Sequence, residues 1–137
     1  MRTVLICLAG LLFPSFVLAD NMVHPGTLVL DRPTLTALGV QLPVTGDDNF
    51  NAAVAVRYRK TGTLTWRQAL PLFRVHPEST ALYTLQPQFA GSIFDLRPST
   101  SYDLELHLAD PDGPVDQIFT LTAPPARYPP IRPIRGS

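Results

Sequence analysis

The chain has 137 residues, with eleven basic and eleven acidic side chains and a formal net charge of zero. One domain fits this length and two full domains do not. Balanced charge removes any global pull toward nucleic acid or an anionic membrane, and 45% hydrophobic content is too high for a disordered polymer.

Met1 and Arg2 make a short positive start, and Val4 to Phe13 is an almost continuous apolar run that Pro14 and Ser15 break. Val17-Leu18-Ala19 then offers compact residues before a cut, with Asp20 after it. Residues 1–19 therefore read as a secretory signal peptide. The run is roughly half of what a helix needs to span a bilayer, so stable membrane insertion is not expected. Cys7 is the only cysteine. It lies too early in the run for a lipoprotein acceptor and leaves with the signal. The mature chain thus has no disulfide, no thiol nucleophile and no cysteine metal site. It must hold together by its core alone, and about 100 residues can supply one. Export, whether to medium, periplasm or cell surface, is the expected localisation.

Residues 20–26 form a short polar segment, and Thr27 to Leu30 is a β-rich run stopped by Asp31-Arg32-Pro33. Leu38, Val40 and Leu42 alternate with Gly39 and Gln41, giving a half-buried strand that Pro43 ends; Thr45 to Asn51 is a turn cluster. Val54, Val56 and Tyr58 alternate with Ala55, Arg57 and Arg59, and Lys60 to Thr63 connects this strand to a partner over Trp66 to Phe73, with Pro71 at a sheet edge. Within Arg74 to Pro87, the residues Pro77, Glu78 and Ser79 mark a loop, and Leu82 to Leu85 reads as a short edge strand.

Phe89 to Leu96 is β-rich, and Arg97 to Ser101 turns. Tyr102, Leu104, Leu106 and Leu108 alternate with Asp103, Glu105 and His107, the clearest alternation in the chain. Asp110 to Pro114 is a turn, and Ile118 to Thr122 is the last strand, with Phe119 and Leu121 on one face. Fifteen prolines leave no room for a long helix. Six or seven short strands with turn signals every eight to twelve residues describe an all-β sandwich.

Two motifs carry a family resemblance. Leu96, Pro98, Thr100 and Tyr102 stand as L-x-P-x-T-x-Y, and Tyr58-Arg59-x-x-Gly62-x-x-x-Trp66 follows a strand, turn and strand. Over roughly Pro25 to Pro125 the chain resembles a fibronectin type III domain, a seven-stranded immunoglobulin-like sandwich. The resemblance implies that Tyr102 makes a tyrosine corner, its hydroxyl meeting a backbone group a few residues upstream so that the ring buries without an orphan polar atom. Leu42 stands where the family usually has tryptophan, which leaves Trp66 or Phe94 to fill the volume. The turn Asp110-Pro111-Asp112-Gly113 carries no Arg-Gly-Asp, so integrin binding of that kind is not implied.

Carried over, the fold gathers Asp47, Asp48, Asp110 and Asp112 at one pole, with Asp116 close, and Arg32, Lys60 and Arg97 at the other. The carboxyl end, with Arg127, Arg132 and Arg135, leaves from the basic pole.

Chemistry is scarce. Asp110-x-Asp112-Gly113 begins like a calcium loop but lacks the later acidic ligand, so it reads as a solvated turn. His24, His76 and His107 lie on different elements without metal-ligand spacing and read as exposed. There is no G-x-S-x-G and no glycine-rich phosphate loop. Trp66, Phe73, Tyr83 and Phe89 could line an aromatic patch for sugars, and Arg57, Arg59 and Arg67 an outward basic stripe for an acidic polymer; ordinary packing and a solvated face are the plainer readings of each.

Residues 124–137 are proline-rich and basic and read as a stiff linker. The expectation is a disulfide-free, non-catalytic exported module without cofactor, acting as a spacer or interaction domain ahead of a larger domain. Its partners are then that downstream domain, an extracellular protein or a polysaccharide, and not nucleic acid. A carbohydrate- or surface-polymer-binding module is the alternative.

Overall fold

The computed structural model describes residues 18–79, 81–113 and 117–123. Residues 1–17 of the signal peptide read over 1–19, Asp116 and the proline-rich segment 124–137 lie outside them. The described residues form an antiparallel β-sandwich without helix.

The strands are β1 (Val23–Pro25), β2 (Val29–Leu30), β3 (Leu38–Gly46), β4 (Ala53–Lys60), β5 (Arg67–Gln68), β6 (Phe73–Val75), β7 (Glu78–Ser79), β8 (Thr84–Leu85), β9 (Gln88–Ile93), β10 (Tyr102–Ala109) and β11 (Gln117–Ala123). One sheet runs β1-β3-β9-β6, with β2 also on β3; the other runs β11-β10-β4-β5. A separate hairpin pairs β7 with β8. The order of the two main sheets is that of an immunoglobulin-like sandwich.

Period-2 patterning builds the core. Leu38, Val40, Leu42 and Val44 of β3, Phe89 and Ile93 of β9, Val54 and Val56 of β4, and Leu104, Leu106 and Leu108 of β10 are all buried between the sheets. Each side chain of this kind is worth about 1.5–3 kcal/mol of burial. Leu42 and Phe89 stand directly opposite each other in the β3–β9 ladder, and Phe89 is the largest fully buried side chain. It supplies the aromatic bulk at this level of the core. Neither Trp66 nor Phe94 does so: Phe94 is 56% exposed, and Trp66 lies under Arg57 and Arg59.

Among the described residues eleven segments replace the six or seven strands read from the pattern, for three local reasons. First, residues 20–26, read as a polar segment, contain the strand β1, and β1 and β2 both pair with β3 but in registers one residue apart: Pro25 opposes Val44 and Val29 opposes Gln41. Residues 26–28 therefore stand against only Leu42 and Pro43, a bulge that splits one strand in two. The same bulge explains why Pro43 does not end β3. Its carbonyl accepts from the Gly26 N–H at 2.8 Å, so its missing donor also faces the bulge, where the ladder is already broken.

Second, the expected partner strand Trp66 to Phe73 belongs to two sheets. It pairs with β4 at Arg67–Gln68, and Ala69 and Leu72 donate to the carbonyls of Val56 and Val54 at 2.9 and 3.0 Å. Past Leu72 the chain crosses over, and β6 pairs with β9. Gly91 of β9 leaves room for the crossing, since a Cβ there would sit 2.9 Å from the Leu72 side chain. Third, Glu78 and Ser79, read as loop, pair with Leu85 and Thr84. The run read as Phe89 to Leu96 stops at Ile93.

At the β9–β10 crossing, the Tyr102 hydroxyl accepts the Arg97 N–H at 2.9 Å. The Tyr102 ring is buried and meets Tyr58 edge-on at 6.0 Å. Half-buried Leu96 packs on the core and donates its N–H to the Thr36 carbonyl, and the Thr100 hydroxyl donates to the Pro98 carbonyl at 3.2 Å. Ser99 takes a positive φ of 54°, so the crossing needs these ties to hold an uncommon backbone. Removing the hydroxyl in Tyr102→Phe should cost about 1–2 kcal/mol in chemical denaturation by leaving the Arg97 N–H unpaired. A loss under about 0.3 kcal/mol would show that the hydroxyl does not hold this crossing.

Candidate functional site

The four aspartates of the expected acidic pole do meet at one end, but as fasteners. Asp47 is fully buried. Its Oδ1 accepts from the N–H groups of Asn51 and Ala52 at 3.0 and 3.1 Å, and its Oδ2 forms an ion pair with Arg74 of β6. The Arg74 guanidinium lies 5.4 Å from the Phe50 ring centre and 5.1 Å from that of Phe89. Asp47 and Phe50 both take positive φ, 56° and 55°, which curls the β3–β4 loop around the buried carboxylate.

Asp48 instead accepts the Asp20 N–H at 2.8 Å, and Asp110 accepts the Val23 N–H at 2.6 Å. Asp112 accepts from the side-chain amides of Asn49 and Asn51 at 2.6 and 2.8 Å. Those two bonds, Asn49 first, hold its carboxyl below the usual carboxylate range. The loops β3–β4 and β10–β11 and the segment ahead of β1 are thus tied together by carboxylates. Among the described residues no three His, Cys, Asp or Glu side chains group as metal ligands.

A second set of charges lies on the outer face of the β11-β10-β4-β5 sheet. Register puts Asp103 opposite Arg59 and Glu105 opposite Arg57. Asp103 pairs with Arg59 at 3.1 Å and accepts from the hydroxyls of Thr61 and Thr122. Its carboxyl is lowered, chiefly by the Thr61 hydroxyl; burial opposes this, and Arg59 and Thr122 add to it. Burial pushes Glu105 upward, but Arg57 and His107, each 2.5 Å away, outweigh it and leave Glu105 lowered. Arg57 and Arg59 also lie 4.9 and 4.5 Å from the Trp66 ring centre.

This overturns the outward basic stripe. Arg57 and Arg59 are neutralised by acids on β10, and Arg67 opposes Tyr58 across β4–β5, which puts it on the other face. The aromatic patch does not form either. Phe89 is core, Phe73 (68% exposed) lies on the edge strand of one sheet, Trp66 packs on the outer face of the other, and Tyr83 (55% exposed) belongs to the β7–β8 connection. The histidines stay apart: His24 lies within β1 beside Asp20 at 3.0 Å, His76 edges on Phe50 at 4.7 Å, and His107 is half-buried instead of exposed.

A cleft of about 410 Å³ lies at the opposite end, between the β4–β5 connection and the β9–β10 crossing. Tyr58, Arg59, Lys60, Thr63, Arg67 and Arg97 line it, with Thr65, Asp95 and Tyr102. Lys60, Arg67 and Arg97 make no ion pair among the described residues, and Asp95 is the single acid on the wall. Arg32 sits toward the same end, in the β2–β3 loop, but off this wall. The cleft presents the cations Lys60, Arg67 and Arg97 and several hydroxyl-bearing side chains, while Arg59 on its wall is already paired with Asp103; this is a donor-rich concavity suited to an anion.

No known family model matches the chain, and no curated protein matches it.

Reading residue types alone treats Asp47 and Asp48 as equals, and Arg74, Asn49 and Asn51 carry no motif. Their roles come from a loop that brings positions 47, 51, 74 and 112 together. Asp47→Ala should cost about 3–5 kcal/mol, because it strands a buried guanidinium and two N–H groups; Asp48→Ala, on an exposed carboxylate, should cost under about 1 kcal/mol. Equal losses in chemical denaturation would refute this division of labour.

Acid should unfold the protein through the lowered carboxylates Asp103, Glu105 and Asp112. Their folded values lie below their unfolded ones. The stability they contribute is therefore complete above about pH 4.5 and disappears as pH falls through the folded values. Thermal scans should show Tm dropping below about pH 4, with a shallower acid limb in Asp103→Asn. An acid limb identical to wild type would remove Asp103 from the account.

Proposed function

We propose that this chain is an exported, non-catalytic fibronectin type III-like module that acts as an interaction or spacer domain. One contrast carries the reading. The buried and clustered carboxylates are bonded to backbone, amides or guanidinium groups that hold the fold, whereas Lys60, Arg67 and Arg97 stand unpaired in an open cleft. Groups tied down in this way are poor candidates for proton transfer or metal chemistry, which need a carboxylate free to meet substrate. Unpaired cations around a concavity are suited to recognising a negative partner. The L-x-P-x-T-x-Y run and the strand order support the family likeness, and the proline-rich basic composition of residues 124–137 supports the spacing role.

The same cleft favours a second reading, a module that binds an anionic surface polysaccharide. The aromatics do not form a row, so the contact would rest on charge and hydroxyl groups instead of ring stacking. Binding to immobilised polygalacturonate, heparin and neutral dextran separates the readings. The polysaccharide reading expects retention on the acidic polymers, weakening between 50 and 200 mM salt as exposed charges are screened, and none on dextran. Arg67→Ala combined with Arg97→Ala should weaken it about tenfold or more, with Arg32→Ala nearly neutral. No retention on either acidic polymer returns the module to spacing or protein contact. Equal weakening by Arg32→Ala would mean diffuse attraction and no cleft site.

A further inference from the structure

Ahead of β1 the chain leaves the body of the fold at Asp20. Leu18 is 87% exposed, and Ala19 and Asp20 are exposed as well. The backbone nitrogen of Asp20 nevertheless has a specific seat. It lies 2.8 Å from Asp48 Oδ2, and the Asp48 N–H donates back to the Asp20 carbonyl at 3.0 Å. Gly46 makes this approach possible: its φ is +70°, and a Cβ there would run into the Met22 carbonyl and come within 3.1 Å of the Asp20 carboxylate. The turn at the end of β3 is thus shaped around residues 20–22.

Independently, the run Val17-Leu18-Ala19 places the cut of a signal peptide between Ala19 and Asp20. The nitrogen that the fold seats on a carboxylate is the nitrogen that this cut would free.

We infer that processing before Asp20 creates an ion pair that the uncut chain lacks, between the new α-ammonium and Asp48. A signal peptidase hydrolyses the Ala19–Asp20 amide with one water. Ala19 leaves as the carboxylate, and Asp20 keeps the amine, which is protonated at neutral pH. A neutral amide donor at 2.8 Å becomes a cation at the same place, with no movement of the loop required. The charge-assisted bond is the stronger of the two. The other titratable groups of this end have partners of their own: the Asp20 carboxylate lies 3.0 Å from the His24 ring, and Asp110 is occupied by the Val23 N–H. Asp47 faces inward to Arg74. The segment ahead of β1 is held at an edge of its sheet by few other bonds, so the added charge acts on a part of the fold that is otherwise easily frayed.

The inference deepens the export reading and separates from it experimentally. The intact mass of the secreted product should begin at Asp20. A different first residue overturns the inference, whereas export itself would survive. Thermal scans then compare the chain starting at Asp20 with one that keeps Leu18 and Ala19. At pH 7 the chain starting at Asp20 should melt about 2–4 °C higher. The difference should close at pH 10, where the amine is neutral, and should vanish in Asp48→Asn, which keeps the acceptor oxygen but not the charge. Equal Tm values at pH 7, or a difference that persists in Asp48→Asn or at pH 10, would refute the pair. Because each comparison is between two lengths of the same variant, any general loss of stability in Asp48→Asn cancels.

Discussion

The buried pair between Asp47 and Arg74 organises one whole end of the molecule. A carboxylate with no exposure is tolerable only when its lone pairs are filled, and Asp47 fills them with a guanidinium and two loop N–H groups. Meeting those partners requires positive φ at Asp47 and Phe50. That backbone path in turn aims Asp48 at Asp20, and Asn49 and Asn51 at Asp112. The pair also reaches past β9 within one sheet, because β3, which leads into Asp47, and β6, which carries Arg74, flank that strand. One interaction therefore links the crossing strand, the β3–β4 loop, the β10–β11 loop and the start of β1.

The two ends of the sandwich use charge differently. At the Asp47 end, opposite charges and amide donors are matched locally, so the end is closed and its polar groups are occupied. At the cleft end, Lys60, Arg67 and Arg97 are left facing solvent around Tyr58 and Thr63. A net charge of zero conceals this difference. Solvent-facing cations contribute little to stability and keep their full field available to a partner. Binding is for that reason better sited at the cleft than among the aspartates.

The outer face of the β11-β10-β4-β5 sheet shows why apparent charge patterns mislead. Arg57, Arg59 and Arg67 look like a basic stripe when read along the chain. Register converts the first two into half of a ladder with Glu105 and Asp103, roofed by Trp66, and turns the third to the opposite face. β10 is flanked on both sides, which buries its outward acids enough that they need such partners. The tryptophan serves this ladder and not the core, and Phe89 takes the interior place opposite Leu42.

Local pattern determined the sandwich class, the long strands β3, β4, β10 and β11, and the inward residues of each, because alternation depends only on the two-residue repeat of a strand. It also marked the crossing before Tyr102, where Pro98 and the phenol lie within five residues of each other. Tertiary structure decided the rest. Whether Pro43 ends a strand depended on a bulge in a different segment. Whether Trp66 to Phe73 is one strand depended on which sheet had a free edge beyond Leu72. Whether Asp47 is a surface ligand or a buried anchor depended on Arg74, 27 positions away. Each of these is a pairing between residues distant in the chain, and the energy of a pair depends on a distance that no local periodicity encodes.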